Sequence, residues 1–189
     1  MPQTFPASDV PPSQSQSVRL AREVIYRSPW VNLFVDKVQL PQGRIIDRYH
    51  VLNFDRQAVA AIVQNAHGDI LLVQCDRYVL GTIEWEVPAG VIDAGESVLP
   101  AAQREVLEET GYPTTDARHL YSFNPENGMS NRVFHVAHCL AQGEPGGFDG
   151  NEIHAVQWHS IDEIRGMIRA RQMSDGYSLT ALLLFLMDH

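Results

Sequence analysis

The segment Arg104–Gly111, REVLEETG, sets one arginine and three glutamates within six residues, just ahead of a glycine. At about 100° per residue, Glu105, Glu108 and Glu109 fall on one arc of a helix. Like charges four residues apart destabilise a bare helix by a few tenths of a kcal/mol. Two readings account for such a run. Solvated glutamates are good helix formers, and an isolated E-x-x-E-E needs no other reason. The alternative is a hard divalent cation, since Mg2+ takes oxygen ligands from a few carboxylates together with water and substrate phosphates.

The flanking residues decide between these. Gly90 and Glu96 are separated by five residues, and Glu96 and Arg104 by seven, so the stretch reads G-x5-E-x7-R-E-V-x-E-E-x-G-Y from Gly90 to Tyr112. Its seven charged and glycine identities at fixed spacing should arise by chance on the order of once in a million chains of this length. The pattern resembles the signature of the Nudix hydrolases, with one mild departure at Tyr112, where the family usually has an aliphatic residue. The resemblance implies an α/β fold, a Nudix-type α-β-α sandwich with a mixed sheet, and hydrolysis of a nucleoside diphosphate linked to another group. It implies Mg2+ (or Mn2+) as cofactor, with Glu105 and Glu109 as direct ligands and Glu108 holding another metal or orienting the water. Arg104 is expected to steer a glutamate, Glu96 to support the loop, and Gly90 to let the backbone approach closely.

The likeness extends over roughly residues 22–185 and is similar to the ADP-ribose pyrophosphatase branch. There a strand ends in an arginine, here Arg77, and leads to a glutamate-x-proline-alanine-glycine segment, here Glu86 to Gly90. The carbonyl of Ala89 is expected as a further metal ligand, and Arg77, Glu86, Gly90 and Pro125 as substrate-facing residues. FNPENGMSNRVFHVA resembles the branch's proline-glycine loop, but Asn131 stands where a glutamate is usual, and Glu126 is not assumed to replace it. The general base in this branch comes from a loop before a late strand, which makes Glu152 the first candidate, with Glu144 and Asp149 in reserve. Trp30 offers an aromatic face for a nucleobase, though its surroundings favour a core or dimer-packing role.

These residues need elements to hold them. Ser97, Pro100 and Gly111 punctuate a helix whose Leu99, Ala102 and Val106 share one face at spacings of three and four. Residues 23–40 and 43–54 read as strands around the turn PQG, and AVAAIVQN and DILLVQC as a second hairpin around AHGD. Residues 83–90, 132–141 and 152–160 read as further strands, 161–172 and 176–189 as helices, and 144–152 as a glycine-rich loop. The organisation expected is a disordered tail over 1–18, N-terminal antiparallel strands over 19–56 serving dimerisation and substrate, and a catalytic domain over 57–189. Trp85 and Trp158 read as core. His135 and His138, three apart in a strand, should face opposite sides and play structural or surface parts. Cys75 and Cys139 read as buried free thiols.

Composition narrows the partners. The chain of 189 residues has a net charge of −9 and no run of basic residues, which argues against nucleic acid and against an anionic membrane surface. No apolar run reaches the roughly 18 residues needed to span a bilayer, and no signal peptide is evident, so a cytoplasmic place is expected. An acidic protein that takes an anionic diphosphate needs a bound cation or local arginines. The leading expectation is cleavage of ADP-ribose, or a related nucleoside diphosphate sugar, to a nucleoside monophosphate and a sugar phosphate. Alternatives are GDP-mannose, a dinucleoside polyphosphate, an oxidised nucleotide, or a non-catalytic nucleotide-sensing module. The resemblance and the apolar side chains Val24, Ile25, Trp30, Leu33 and Phe34 lead to an expected homodimer.

Overall fold

The structure is a computed structural model describing residues 16–148 and 150–188. Residues 1–15 of the expected tail, and the reserve base Asp149, lie outside the described residues, while Val18 already opens the first strand. The chain divides into two compact units, Met1–Asp55 with Gly128–Asn131, and Arg56–Asn127 with Arg132–His189. Nothing in the sequence pattern anticipates the return of Gly128–Asn131 to the first unit.

The first unit is an antiparallel sheet of β1 (Val18–Tyr26), β2 (Asn32–Gln39) and β3 (Ile45–Asn53), in that order. The stretch 23–40, expected as continuous strand, is broken at Ser28. Its hydroxyl donates to the Val31 carbonyl at 2.8 Å and accepts the Val31 amide at 3.0 Å, closing a turn between β1 and β2. At the expected PQG turn, Gly43 takes a φ of 88°, which favours glycine. β1 is exposed along its whole length, and Val24, Ile25 and Trp30 are exposed as expected of an apolar face. Phe34 departs from that expectation: it is only 5% exposed. The Arg22 guanidinium lies 4.2 Å from its ring centroid and is held there by a fork of hydrogen bonds to Asp36, at 2.7 and 2.8 Å.

Asn131 also belongs to this unit. Its Oδ1 accepts the Phe54 amide at 2.7 Å, and its Nδ2 donates to the Phe54 carbonyl at 3.0 Å. The side-chain amide thus pairs with a backbone amide as a neighbouring strand would. A glutamate in its ionised form has no donor and cannot make this pair.

The second unit is a seven-stranded mixed sheet. β4 (Ala58–Gln64), β5 (Ile70–Arg77), β8 (Thr114–Phe123), β9 (Phe134–Ala141) and β10 (Ile153–His159) follow the order β10-β5-β4-β9-β8, while β6 (Thr82–Glu86) pairs β5 and β7 (Ala89–Val91) pairs β4. β4 and β9 run parallel and the other pairs antiparallel. Helix α1 (Val98–Thr110) covers one face, packing Ala102 and Val106 on Val59, Ala61 and Val63. Helices α2 (Ile161–Arg169) and α3 (Gly176–Leu186) cover the other, against Ala58, Ala60 and Ile62. The continuous apolar run of β4 follows from this: both faces are buried, so no polar alternation survives. The expected α-β-α sandwich is present.

β8 has no counterpart among the expected elements. TTDARHLYSF carries little apolar periodicity because an edge strand is only half covered. His135 and His138 do face opposite sides, but both are buried. His138 stacks on Phe185 of α3, while His135 bonds Gln57 at 2.8 Å and Ser122 at 2.6 Å. Cys75 and Cys139 are buried and free. Among the described residues no helix is long and apolar enough to cross a membrane.

Candidate active site

The site grows from the junction of β7 and α1. Ser97 stands at the N-cap position of α1, but its side chain makes no capping bond. At the other end Gly111 adopts a φ of 74° and returns its amide to the Leu107 carbonyl, as expected of a left-handed cap. Leu99, Ala102 and Val106 anchor the inner face, so the next arc of the helix presents its carboxylates toward β7.

Arg104 organises the first part of this arc. Its Nε and Nη2 fork onto Glu96 at 3.1 and 2.9 Å, and Nη2 also reaches the Val91 carbonyl at 3.0 Å. Its Nη1 donates to Glu105 at 2.9 Å and to Glu108 at 3.1 Å. These bonds hold the Glu96 carboxyl below its usual range, chiefly through Arg104. Glu105 behaves oppositely. Arg104 pulls its pKa down, but burial pushes it up and prevails.

Gly90 explains that burial. A Cβ placed there would overlap the Glu105 carboxylate, so only a glycine lets the strand close over it. One turn further, Glu109 accepts the Ala89 amide at 3.0 Å and is raised to about 8, first by burial, then by the charges of Glu105 and Glu152. Ala89 therefore meets the arc through its N–H. Glu108 is the outermost of the three, with more than half of its side chain exposed.

Glu152 lies immediately before β10, exposed, and within electrostatic reach of Glu109. The glycine-rich loop ahead of it is tied to α1: the Gly146 amide donates to the Gly111 carbonyl at 2.8 Å, and a Cβ on Gly111 would overlap the Gly146 carbonyl. Glu144 is exposed on that loop.

Arg77 and Glu86 come together at the ends of β5 and β6. Arg77 Nε donates to Glu86 at 2.7 Å, and Nη2 donates to the second carboxylate oxygen. They line a cavity of about 200 Å³ with Gly90, Arg132, Asp175 and Tyr177. Pro125 lines a different one, of about 490 Å³, shared with Phe123, Glu126 and Tyr177. Trp30 lies in the first unit between β1 and β2, 74% exposed. Sequence reasoning missed Arg132 and Tyr177. Arg132 follows Asn131 within the FNPENGMSNRVFHVA stretch and Tyr177 is the second residue of α3, and only the fold brings them to Gly90.

Among the described residues no group of three or more His, Cys, Asp and Glu side chains is already gathered as a metal cage. The donor set nonetheless suits a hard cation. Glu105 and Glu109 are oxygen donors driven toward protonation mainly by burial, and Glu109 has a backbone amide rather than a cation as its hydrogen-bond partner. A positive charge between them would relieve both.

Residues 55–181 match the NUDIX domain model, and residues 19–52 match the nucleoside diphosphate sugar hydrolase N-terminal domain. The chain is 31% identical to the CMP-5'-(N-acetyl-N-hydroxy-3-aminopropyl)phosphonate hydrolase of Streptomyces rubellomurinus, over 84% of this chain and 77% of that protein. It is 27% identical to the ADP-ribose pyrophosphatase of Bacillus subtilis, over 86% and 89% of the two chains. A solved structure, that of an ADP compounds hydrolase, superposes with a TM-score of 0.81 at 19% identity, over 93% of this chain and 95% of that one, a likeness of fold.

Proposed function

The chain belongs to the Nudix hydrolase family, and on that premise we propose that it cleaves the diphosphate bond of ADP-ribose or a related nucleoside diphosphate sugar. The products are a nucleoside monophosphate and a sugar phosphate. The observation that carries this reading is the pair of desolvated carboxylates, Glu105 and Glu109, closed over by Gly90 and Ala89 beside a cavity lined by Arg77 and Arg132 together with Glu86 and Asp175. The similar proteins act, by name, on a CMP-linked phosphonate and on ADP-ribose, so the nucleoside end is proposed only as a class.

Glu105 and Glu109 would hold Mg2+ or Mn2+, with Glu108 and the Ala89 carbonyl as further ligands. A bound divalent cation would supply Lewis acidity and offset the charge of a diphosphate that the carboxylates otherwise repel. Arg104 orients Glu105 and keeps it from swinging out, while Glu96 fixes Arg104. Arg77, pre-set by Glu86, and Arg132 face the cavity where the phosphates would lie, and Gly90 leaves room for them. Pro125 shapes the neighbouring cavity, and Trp30 offers its exposed ring to a base. Glu152 is the general base, taking a proton from the attacking water, since the α1 carboxylates are committed to holding charge.

The exposed face of β1 supports a homodimer. Light scattering should then give twice the 21.2 kDa chain mass, and a monomer at micromolar concentration would contradict it. The activity itself is tested by a panel of nucleoside diphosphate derivatives with Mg2+ or Mn2+ and product identification. Release of AMP and ribose 5-phosphate from ADP-ribose is the expected result. Failure to cleave any member of the panel would remove the reading.

A further inference from the structure

Two residues at the end of helix α1 each hold a different part of the chain around Glu152. The Gly111 carbonyl accepts the Gly146 amide at 2.8 Å. The Tyr112 hydroxyl accepts the Trp158 indole N–H at 3.1 Å, and the two rings meet edge to face with centroids 5.3 Å apart. Gly146 lies six residues before Glu152 and Trp158 six residues after it. Glu152 is therefore slung between two attachments to consecutive residues, and those residues follow Glu109 by two and three positions. Glu109, raised first by its burial, also feels the charge of Glu152.

The two attachments differ in kind. Trp158 belongs to β10, which the sheet already holds: Ile153, at the start of that strand, is 2% exposed and pairs with Cys75. Gly146 belongs to no strand or helix, and its contact with Gly111 is backbone against backbone. A Cβ on Gly111 would overlap the Gly146 carbonyl and come within 3.0 Å of its nitrogen. The glycine at 111 thus meets two demands. Its φ of 74° ends the helix, and its bare Cα gives the loop a surface to rest on. A left-handed cap calls only for the first, since asparagine also adopts it.

We propose that the end of α1, through the Gly146–Gly111 contact, positions Glu152 beside the carboxylate arc, so that one helix sets both the cation donors and the base. Gly111 and Gly146 are positioning residues that act through Glu152. The inference rests on the proposed hydrolysis with Glu152 as its base, and deepens it.

The test measures kcat and KM for ADP-ribose with Mg2+, and Mn2+ affinity without substrate, for wild type, Gly146→Pro, Glu152→Gln and the double variant. Proline removes the amide donor, and Gly146 is not in a left-handed conformation that a proline ring would forbid. Gly146 is exposed, so the variant should fold. Gly147→Ala, whose Cβ would meet nothing within 4 Å, controls for stiffening of the loop and should change kcat by less than about twofold. Gly146→Pro should lower kcat by about tenfold or more, with KM and Mn2+ affinity held within about threefold. In the Glu152→Gln background it should cost less than about twofold, because the group it positions is already gone. Gly111→Asn keeps the cap conformation but pushes on the same contact from the helix side, and should show the same dependence on Glu152. A wild-type kcat in Gly146→Pro, or a loss that persists in full in the double variant, would overturn the positioning role and leave the proposed hydrolysis standing. A wild-type rate in Glu152→Gln would overturn the base and this inference together. A wild type that cleaves no nucleoside diphosphate derivative would overturn the proposed function itself.

Discussion

The two ends of the carboxylate arc differ in how their charge is balanced. Around Glu96 the charge is answered within the protein, because Arg104 forks onto it and holds it ionised. Around Glu109 it is not. That side chain is packed under β7 with one backbone amide, and burial lifts it to about 8. Glu105 stands between them, touched by Arg104 but dominated by desolvation. A protein that only wanted a stable helix would have placed a lysine or an apolar residue at 109. The contrast agrees with the proposal that one end of the motif is scaffolding and the other would take a cation from outside.

The contrast can be broken at its unbalanced end first. Glu105→Gln and Glu109→Gln should each lower turnover by about 10³-fold or more, beyond the roughly 10–100-fold typical of losing a supporting group. The fold should persist, because the amide keeps the shape and the Ala89 bond to residue 109 has an oxygen to accept it. Steady-state rates at saturating Mg2+, with circular dichroism of each variant, check this. Glu152→Gln should come next, lowering kcat by at least about 10²-fold with KM little changed, as for loss of a general base. A wild-type rate in that variant would remove Glu152 from the reaction.

The balanced end should give a smaller effect of another kind. Glu96→Gln weakens the fork on Arg104, so turnover should fall by roughly 10–100-fold while the metal ligands stay in place. A loss as large as that of Glu105→Gln would erase the distinction between the two ends.

The two ends should also respond oppositely to pH in the metal-free protein. Glu109 is raised in the folded state, so its contribution to stability is fully present below about 4.5 and is lost as pH rises toward about 8. Glu96 is lowered, so its contribution is present above its unfolded value and is lost as pH falls through the folded one. Thermal unfolding of Glu109→Gln should therefore show higher stability than wild type at pH 8, and little difference at pH 4. Glu96→Gln should be less stable than wild type at pH 8. Equal melting curves for Glu109→Gln and wild type at pH 8 would show that the carboxylate is not strained.

Much of the site was legible because its logic is local. The helix positions 105, 108 and 109, the punctuation by Gly111 and the apolar spacing of Leu99, Ala102 and Val106 lie within one short stretch. Gly43 and Gly68 likewise marked their turns through a conformation that few other residues adopt. What stayed hidden depends on partners distant in sequence. Asn131 reads as a lost glutamate until Phe54, 77 residues away, is seen to pair with its amide. Arg132, Glu126 and Tyr177 carry no local motif, and only the packing of α3 against β9 makes them cavity walls. β8 leaves little trace in the sequence because an edge strand need not alternate cleanly, and the burial of Phe34 leaves none because nothing local announces that Arg22 folds over it.

Direct cation binding tests the central claim most closely. Mn2+ binding to the wild-type protein can be followed by electron paramagnetic resonance or calorimetry, without any substrate, beside Glu105→Gln, Glu109→Gln and Glu96→Gln. The account predicts that wild type binds Mn2+ and that both α1 variants lose at least about tenfold in affinity, whereas Glu96→Gln loses less. Mn2+ affinity that is unchanged in Glu105→Gln and Glu109→Gln would contradict it.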